Sequence, residues 1–146
     1  MPSICFYFQV HQSFRLKPYD CFKIGSDHAY DDEEKNLEIL NRVSTKCYLP
    51  CNDTLLRLID KYQGDFKIAY SVSGTALEQM EKYRPDVLNS FQSLAKTGCV
   101  EFLSETYYHS LSFLYSKNEF IRQVGKHKEK IKSFLINPPR SLEIPS

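Results

Sequence analysis

An α/β fold built on parallel strands is what this sequence predicts, and three observations predict it. Three segments alternate apolar and polar residues as strands do, longer segments of helical spacing separate them, and polar groups gather towards the C-terminal strand ends. The intervening lengths suit crossover helices between parallel strands, an arrangement that puts functional groups at one mouth of the sheet.

The first strand is expected over 4–11, with Ile4, Phe6, Phe8 and Val10 on one face and Cys5, Tyr7, Gln9 and His11 on the other. Helical spacing follows in 33–47 through Leu37, Ile39, Leu40 and Val43. Asn52 or Asp53 is expected to cap a next helix carrying Leu55, Leu56, Leu58 and Ile59 and closing before Gly64. The second strand, 66–73, sets Phe66, Ile68, Tyr70 and Val72 against Lys67, Ala69, Ser71 and Ser73. A short helix over 75–83 and another entered by Pro85 and closed by Gly98 come next. The third strand, 99–108, places Val100 and Phe102 opposite Glu101, Leu103, Glu105 and Tyr107. A last helix, 118–134, carries Phe120, Ile121, Val124 and Ile131 on a stripe and turns Lys126, Lys128, Lys130 and Lys132 to solvent. His11, Ser73 and Glu105 are thereby expected at one mouth.

The 146 residues fit a single core, with 42% hydrophobic and 14% aromatic residues to fill it. Lys and Arg number 19 against 18 acidic residues, so a net charge of +1 offers no field for nucleic acid or an anionic membrane. The opening apolar run meets Gln9 and His11 without a basic leader, and a soluble, cytoplasmic protein is the expectation. Cys5, Cys21, Cys47, Cys51 and Cys99 lack the paired spacing of a zinc ribbon and read as free thiols. Gly74 stands without the further glycines of a phosphate loop, and the acidic loop around His28 shows no ligand pattern, so neither cofactor nor metal is expected.

The polar ends of the strands carry the chemistry. His11 and Gln12 bring an imidazole and an amide suited to sugar hydroxyls, or to a structural role. Glu101 and Glu105 lie four residues apart, roughly 13 Å along a regular strand. A retaining glycosidase needs its carboxyls about 5–5.5 Å apart and an inverting one about 6.5–9.5 Å, so these two read as cleft-lining groups and not as a catalytic pair. Inside a sheet-lined core Glu101 would need a histidine, a lysine or several hydroxyls as partners. Tyr107, Tyr108 and His109 offer aromatic faces for a pyranose, or simply a packed loop.

Three blocks in order, Gln9-Val10-His11-Gln12-Ser13-Phe14-Arg15-Leu16, Ser71-Val72-Ser73-Gly74-Thr75-Ala76-Leu77-Glu78 and Gly98-Cys99-Val100-Glu101-Phe102-Leu103-Ser104-Glu105-Thr106-Tyr107-Tyr108-His109-Ser110-Leu111, resemble the N-terminal part of glycoside hydrolase family 57. The resemblance spans roughly residues 4–132. It implies the first three β/α units of an incomplete (β/α)7 TIM-like barrel and a retaining enzyme acting on α-glucans or maltooligosaccharides, in the manner of α-amylases, 4-α-glucanotransferases, branching enzymes and amylopullulanases. His11 and Gln12 match the family's first motif, in which Ser13 replaces the usual proline, and Glu101 matches the glutamate of its second. Substrate-binding roles are thereby implied for His11, Gln12, Glu101, Glu105 and Tyr107. The resemblance places the nucleophile on a fourth strand and the acid/base on a seventh, so no residue here takes either role.

The expected organisation is a partial catalytic barrel over 1–133 and a divergent Pro-rich tail over 134–146. Pro138 and Pro139 exclude a central strand there. A truncated, frameshifted or split product, inactive alone and associating with the missing C-terminal part of the barrel, is one expectation. A non-catalytic carbohydrate- or partner-binding remnant is the alternative. A polysaccharide deacetylase is set aside, because His11, His28, His109 and His127 supply no His-x-x-x-His pair.

Overall fold

The computed structural model describes residues 4–135 apart from Tyr19, Ile24 and Asp27. Three parallel strands, β1 (Tyr7–Val10), β2 (Ile68–Val72) and β3 (Val100–Leu103), form a sheet in chain order with β2 central. Phe8, Tyr70 and Phe102 stand in register, as do Tyr7, Ala69 and Glu101. Each strand is shorter than the alternation suggests, but its faces are as expected.

Two helices follow β1, namely α1 (Glu33–Val43) and α2 (Leu49–Lys61), and two follow β2, namely α3 (Gly74–Tyr83) and α4 (Pro85–Lys96). A single long helix, α5 (Lys117–Phe134), follows β3. Asp32 caps α1 by accepting from the Lys35 N–H at 3.0 Å, and Ser73 caps α3 by accepting from Ala76.

The helix expected to begin at Asn52 or Asp53 has no new start there. A π-helical turn, Ser44–Tyr48, joins α1 to α2 without a break. Pro50 has no N–H for the carbonyl four residues back, and the widened turn just before it accommodates the ring. Asn52 is instead fully buried, accepting from Tyr70 Oη at 3.1 Å and donating to Ser90 Oγ at 2.8 Å. A buried amide is tolerated because both ends of it are bonded.

The apolar core lies between one sheet face and the helices. Val10, Ile68, Tyr70, Val72, Val100 and Phe102 meet Leu40, Leu55, Ile59, Leu77, Met80, Val87, Phe91 and Leu94. Tyr70 is its hub, with ring centroids 5.4 Å from Phe8, 5.3 Å from Phe91 and 6.2 Å from Phe102.

On α5 the buried residues are Gln123, His127, Ile131 and Phe134. The expected stripe through Phe120 and Ile121 is turned outward, the latter 56% exposed. The helix registers on its polar, hydrogen-bonding residues and not on its most apolar ones. Phe134 and Leu135, assigned to the tail by the sequence, are buried against the core, and Phe134 packs its ring 6.2 Å from Phe102. The rest of that tail, 136–146, lies outside the described residues. Nor is the lysine run uniformly solvated: Lys126 lies 3.8 Å over the Tyr107 ring and Lys130 pairs with Glu81.

Candidate functional site

Polar side chains converge where the three strands end. His11 leaves β1 and places Nδ1 2.8 Å from Ser73 Oγ, at the junction of β2 and α3. Ser73 Oγ also takes the Ala76 N–H and lies 3.2 Å from Thr75 Oγ1. All three contacts are satisfied when the Ser73 hydroxyl donates to His11 Nδ1 and Thr75 donates to Ser73, which leaves the His11 proton on Nε2. Burial holds the His11 pKa below the usual histidine range, with His109 adding to the depression and Glu105 opposing it.

The second half of the constellation comes from the segment after β3. The His109 ring lies 4.6 Å from that of His11, and its Nδ1 is 2.9 Å from Glu105 Oε2. Gln9 Nε2 approaches the same nitrogen at 3.2 Å, but a nitrogen that donates to a carboxylate accepts nothing, and the carboxylate is the stronger partner. His109 adopts φ +54°, uncommon for a residue with a side chain, and its N–H closes a turn on Thr106 O at 3.0 Å. The Thr106 hydroxyl bonds both the N–H and the carbonyl of Ser110, bracing that turn.

Glu105 is held from two sides. Its carboxyl is only 12% exposed, and Oε1 is buried without a hydrogen-bond partner among the described residues. Its backbone N–H points towards His127 Nδ1 at 3.5 Å, while His127 Nε2 bonds the Val72 carbonyl at 2.8 Å. From α5, fully buried His127 thus ties the end of β2 to the end of β3. Burial keeps it neutral by lowering its pKa, and the tautomer follows from the Val72 bond, which takes the Nε2 proton. Sequence reading missed this residue. The signal was its spacing of four from both Gln123 and Ile131, the face α5 buries.

His11, Ser73 and Glu105 are therefore gathered as the strand pattern implies. Gln12 turns into the helical layer, donating to Tyr48 Oη at 3.1 Å, while its carbonyl accepts from Gln79 at 3.0 Å. Tyr107 is 2% exposed and lies flat on Gly74, where an added Cβ would come within 2.5 Å of the ring. Its hydroxyl donates to Glu78, and Tyr108 takes a 2.8 Å hydrogen bond from Lys126. Glu101 is not the buried, paired carboxylate expected. It is exposed beside Ala69 on the sheet face opposite the core, with no hydrogen bond or ion pair among the described residues. His28 bonds Tyr30 Oη at 3.2 Å, and no described cluster of His, Cys, Asp and Glu is fit to hold a metal.

Comparison with known proteins gives this arrangement a family. Residues 5–146 match the family described as Glycosyl hydrolase family 57. The chain is 41% identical over 132 residues to a Methanocaldococcus jannaschii protein named "Putative alpha-amylase", covering 88% of this chain and 28% of that protein. It is 32% identical over 88 residues to an "Alpha-amylase" of Pyrococcus furiosus, covering 60% of this chain and 13% of that one. Among solved structures, a 4-alpha-glucanotransferase from Thermococcus litoralis superposes with a TM-score of 0.63 at 18% identity, over 89% of this chain and 17% of that chain. That likeness is one of fold. The chain spans about a quarter or less of the length of these relatives.

Proposed function

The chain belongs to glycosyl hydrolase family 57, and from that membership we propose that it supplies the sugar-binding part of an α-glucan-active site. The observation that carries this reading is the Ser73–His11 and His109–Glu105 pair of contacts at the C-terminal ends of three parallel strands. Such ends are where β/α architectures bind ligands. His11 Nε2–H is a donor and the Glu105 carboxyl an acceptor, and together they suit adjacent hydroxyls of a maltooligosaccharide. Glu101 extends the acceptor row down the same face. Gln12 and Tyr107 act from behind, fixing the strand end and the loop on which the binding groups stand.

In this reading the three strands with their helices form the N-terminal units of an incomplete TIM-like barrel, and the remaining strands supply the nucleophile and the acid/base. Glu101 and Glu105 are cleft-lining groups, and the chain is inactive alone. The names of the relatives, alpha-amylase and 4-alpha-glucanotransferase, support α-glucans as the substrate class. The five free thiols fit a reducing compartment, and a cytoplasmic setting is part of the proposal.

Calorimetric titration with maltoheptaose tests it. Binding is expected, weakened about tenfold or more by His11→Ala and by Glu105→Gln, with no cleavage products after prolonged incubation. Affinity unchanged in both variants would sink the site, and cleavage by the chain alone would sink the division of labour. Binding insensitive to Glu101→Gln would confine the subsite to the strand ends.

A further inference from the structure

We propose that His127, too deeply buried to touch a sugar, is the positioning residue of the candidate site: its neutral imidazole holds the chain after β3 so that the Glu105 carboxylate is placed for binding. The ligand, a maltooligosaccharide, is taken over from the reading above, on which this part rests. Both ring nitrogens of His127 face backbone, Nε2 the Val72 carbonyl at 2.8 Å and Nδ1 the Glu105 N–H at 3.5 Å. Val72 ends β2 and precedes Ser73, the partner of His11, while Glu105 lies two residues beyond the end of β3. One ring on α5 therefore braces both halves of the constellation from the helical side.

Glu105 has little else to place it. It stands outside the β2–β3 ladder, its Oε2 is bonded to His109, whose side chain is 41% exposed, and its Oε1 is buried without a partner among the described residues. The backbone thus sets where the carboxylate lies, and the unmatched Oε1 is an acceptor that a sugar hydroxyl would fill.

The brace works only while the imidazole is neutral. With the Nε2 proton given to Val72, Nδ1 keeps a lone pair for the Glu105 N–H, whereas a proton on Nδ1 would set two donors head to head and displace the Glu105 backbone. Burial keeps the ring neutral at pH 7 by lowering its pKa, opposed by the Val72 bond and the Glu105 charge. Glu105 is the charged group facing it from the β3 side, and β2 offers the Val72 carbonyl. On α3, Glu78 takes the Tyr107 hydroxyl and Glu81 pairs with Lys130, while Lys126 of α5 lies over the Tyr107 ring. Sugar affinity should therefore fall as pH drops through the folded pKa of His127, and bound sugar should lower that pKa further.

The test is calorimetric titration of the full chain with maltoheptaose between about pH 7.5 and 5. His127→Gln is the conservative rescue, since its amide can donate to Val72 and accept from Glu105 but cannot titrate. Its affinity at the upper pH should stay within about twofold of the parent's, and part of the acid loss should vanish. What acid loss remains belongs to His11 and the binding groups common to both proteins. His127→Leu fills the space without either bond and should weaken binding about tenfold. Ile131→Ala, one turn further along the same buried face, should lower stability and leave affinity unchanged. Full affinity in His127→Leu, an equal loss in His127→Gln or in Ile131→Ala, or parallel acid limbs in parent and His127→Gln would each overturn the proposal. Should His127→Leu fail to fold, the parent and His127→Gln still decide it, by NMR as well as by calorimetry. The Glu105 amide resonance is expected to follow the His127 ring titration in the parent and not in His127→Gln, and an amide blind to that titration would sink the idea. This readout needs no sugar. If maltoheptaose binds the parent at no pH, the sugar-binding reading falls by itself while the amide still decides whether His127 positions Glu105.

Discussion

The two faces of the sheet differ in what holds them. One face carries Val10, Tyr70, Val72 and Phe102 into the helices, all nearly inaccessible. The other presents Tyr7, Gln9 and Glu101 outward, and at its strand ends His11 is hydrogen-bonded to Ser73 and His109 to Glu105. Apolar burial specifies the first face and polar geometry the second. The difference teaches that the fold can stand while the candidate site is remodelled, and single substitutions should separate the two.

The largest effect is expected at Phe102, which is 1% exposed and lies between Tyr70 and Phe134. Phe102→Ala should cost about 3–5 kcal/mol in urea unfolding, from lost transfer energy plus the cavity left behind. A cost near that of an exposed position would mean that the helices do not pack on this face as described.

Gly74→Ala comes next and attacks the junction between the two regimes. The new Cβ would meet the Tyr107 ring near its attachment point, where it cannot swing aside cheaply. Overpacking of this kind costs about 1–3 kcal/mol. Tyr107, Tyr108 and His109 are consecutive, so the displaced ring should also unseat the contact between His109 and Glu105. Stability lost without change at the His109 imidazole, read by NMR, would show that loop and site are uncoupled.

The covered face was legible in the sequence because period-2 alternation reports burial directly: Phe8, Tyr70 and Phe102 were assigned one side and stand in register on it. Pro85 and Gly98 marked α4 for equally local reasons, since one lacks an N–H and the other takes φ +70°. What failed was whatever depends on a partner distant in sequence. Asn52 looks like a helix cap until Tyr70 and Ser90 are brought to it. The stripe on α5 was read from apolarity, whereas the core takes Gln123 and His127 because Ser110, Val72 and Glu105 lie opposite them. Glu101 was expected to be buried because its strand was pictured inside a closed wall, whereas the face is covered at Ser71 near the strand ends and open at Glu101.

A pH series sharpens the comparison where the faces meet. His127 titrates below its unfolded value of about 6.5, because burial penalises the imidazolium more than the Val72 carbonyl and the Glu105 carboxylate favour it. The unfolded chain therefore binds the extra proton first. Stability from this group is complete above about pH 6.5 and is lost as pH falls towards the folded pKa, with a slope of at most about 1.4 kcal/mol per unit. His11, depressed for the same main reason, contributes with the same sign from a more open position. His127→Gln keeps a donor for Val72 but cannot titrate, so its unfolding free energy should fall less than the parent's between pH 6.5 and 5. Parallel acid limbs would remove His127 from the account.

The smallest effect is expected at Tyr7, and it is the control on which the contrast between faces depends. Tyr7 pairs in register with Ala69 on β2 but is 51% exposed, whereas its neighbour Phe8 on the same strand packs on Tyr70 from the other side. Removing the Tyr7 ring opens no cavity, because half of it already faces solvent, and β propensity at an edge strand is worth only a fraction of a kcal/mol. Tyr7→Ala should therefore change urea unfolding by about 0.5 kcal/mol or less. A loss approaching that of Phe102→Ala would mean that the open face is covered in solution.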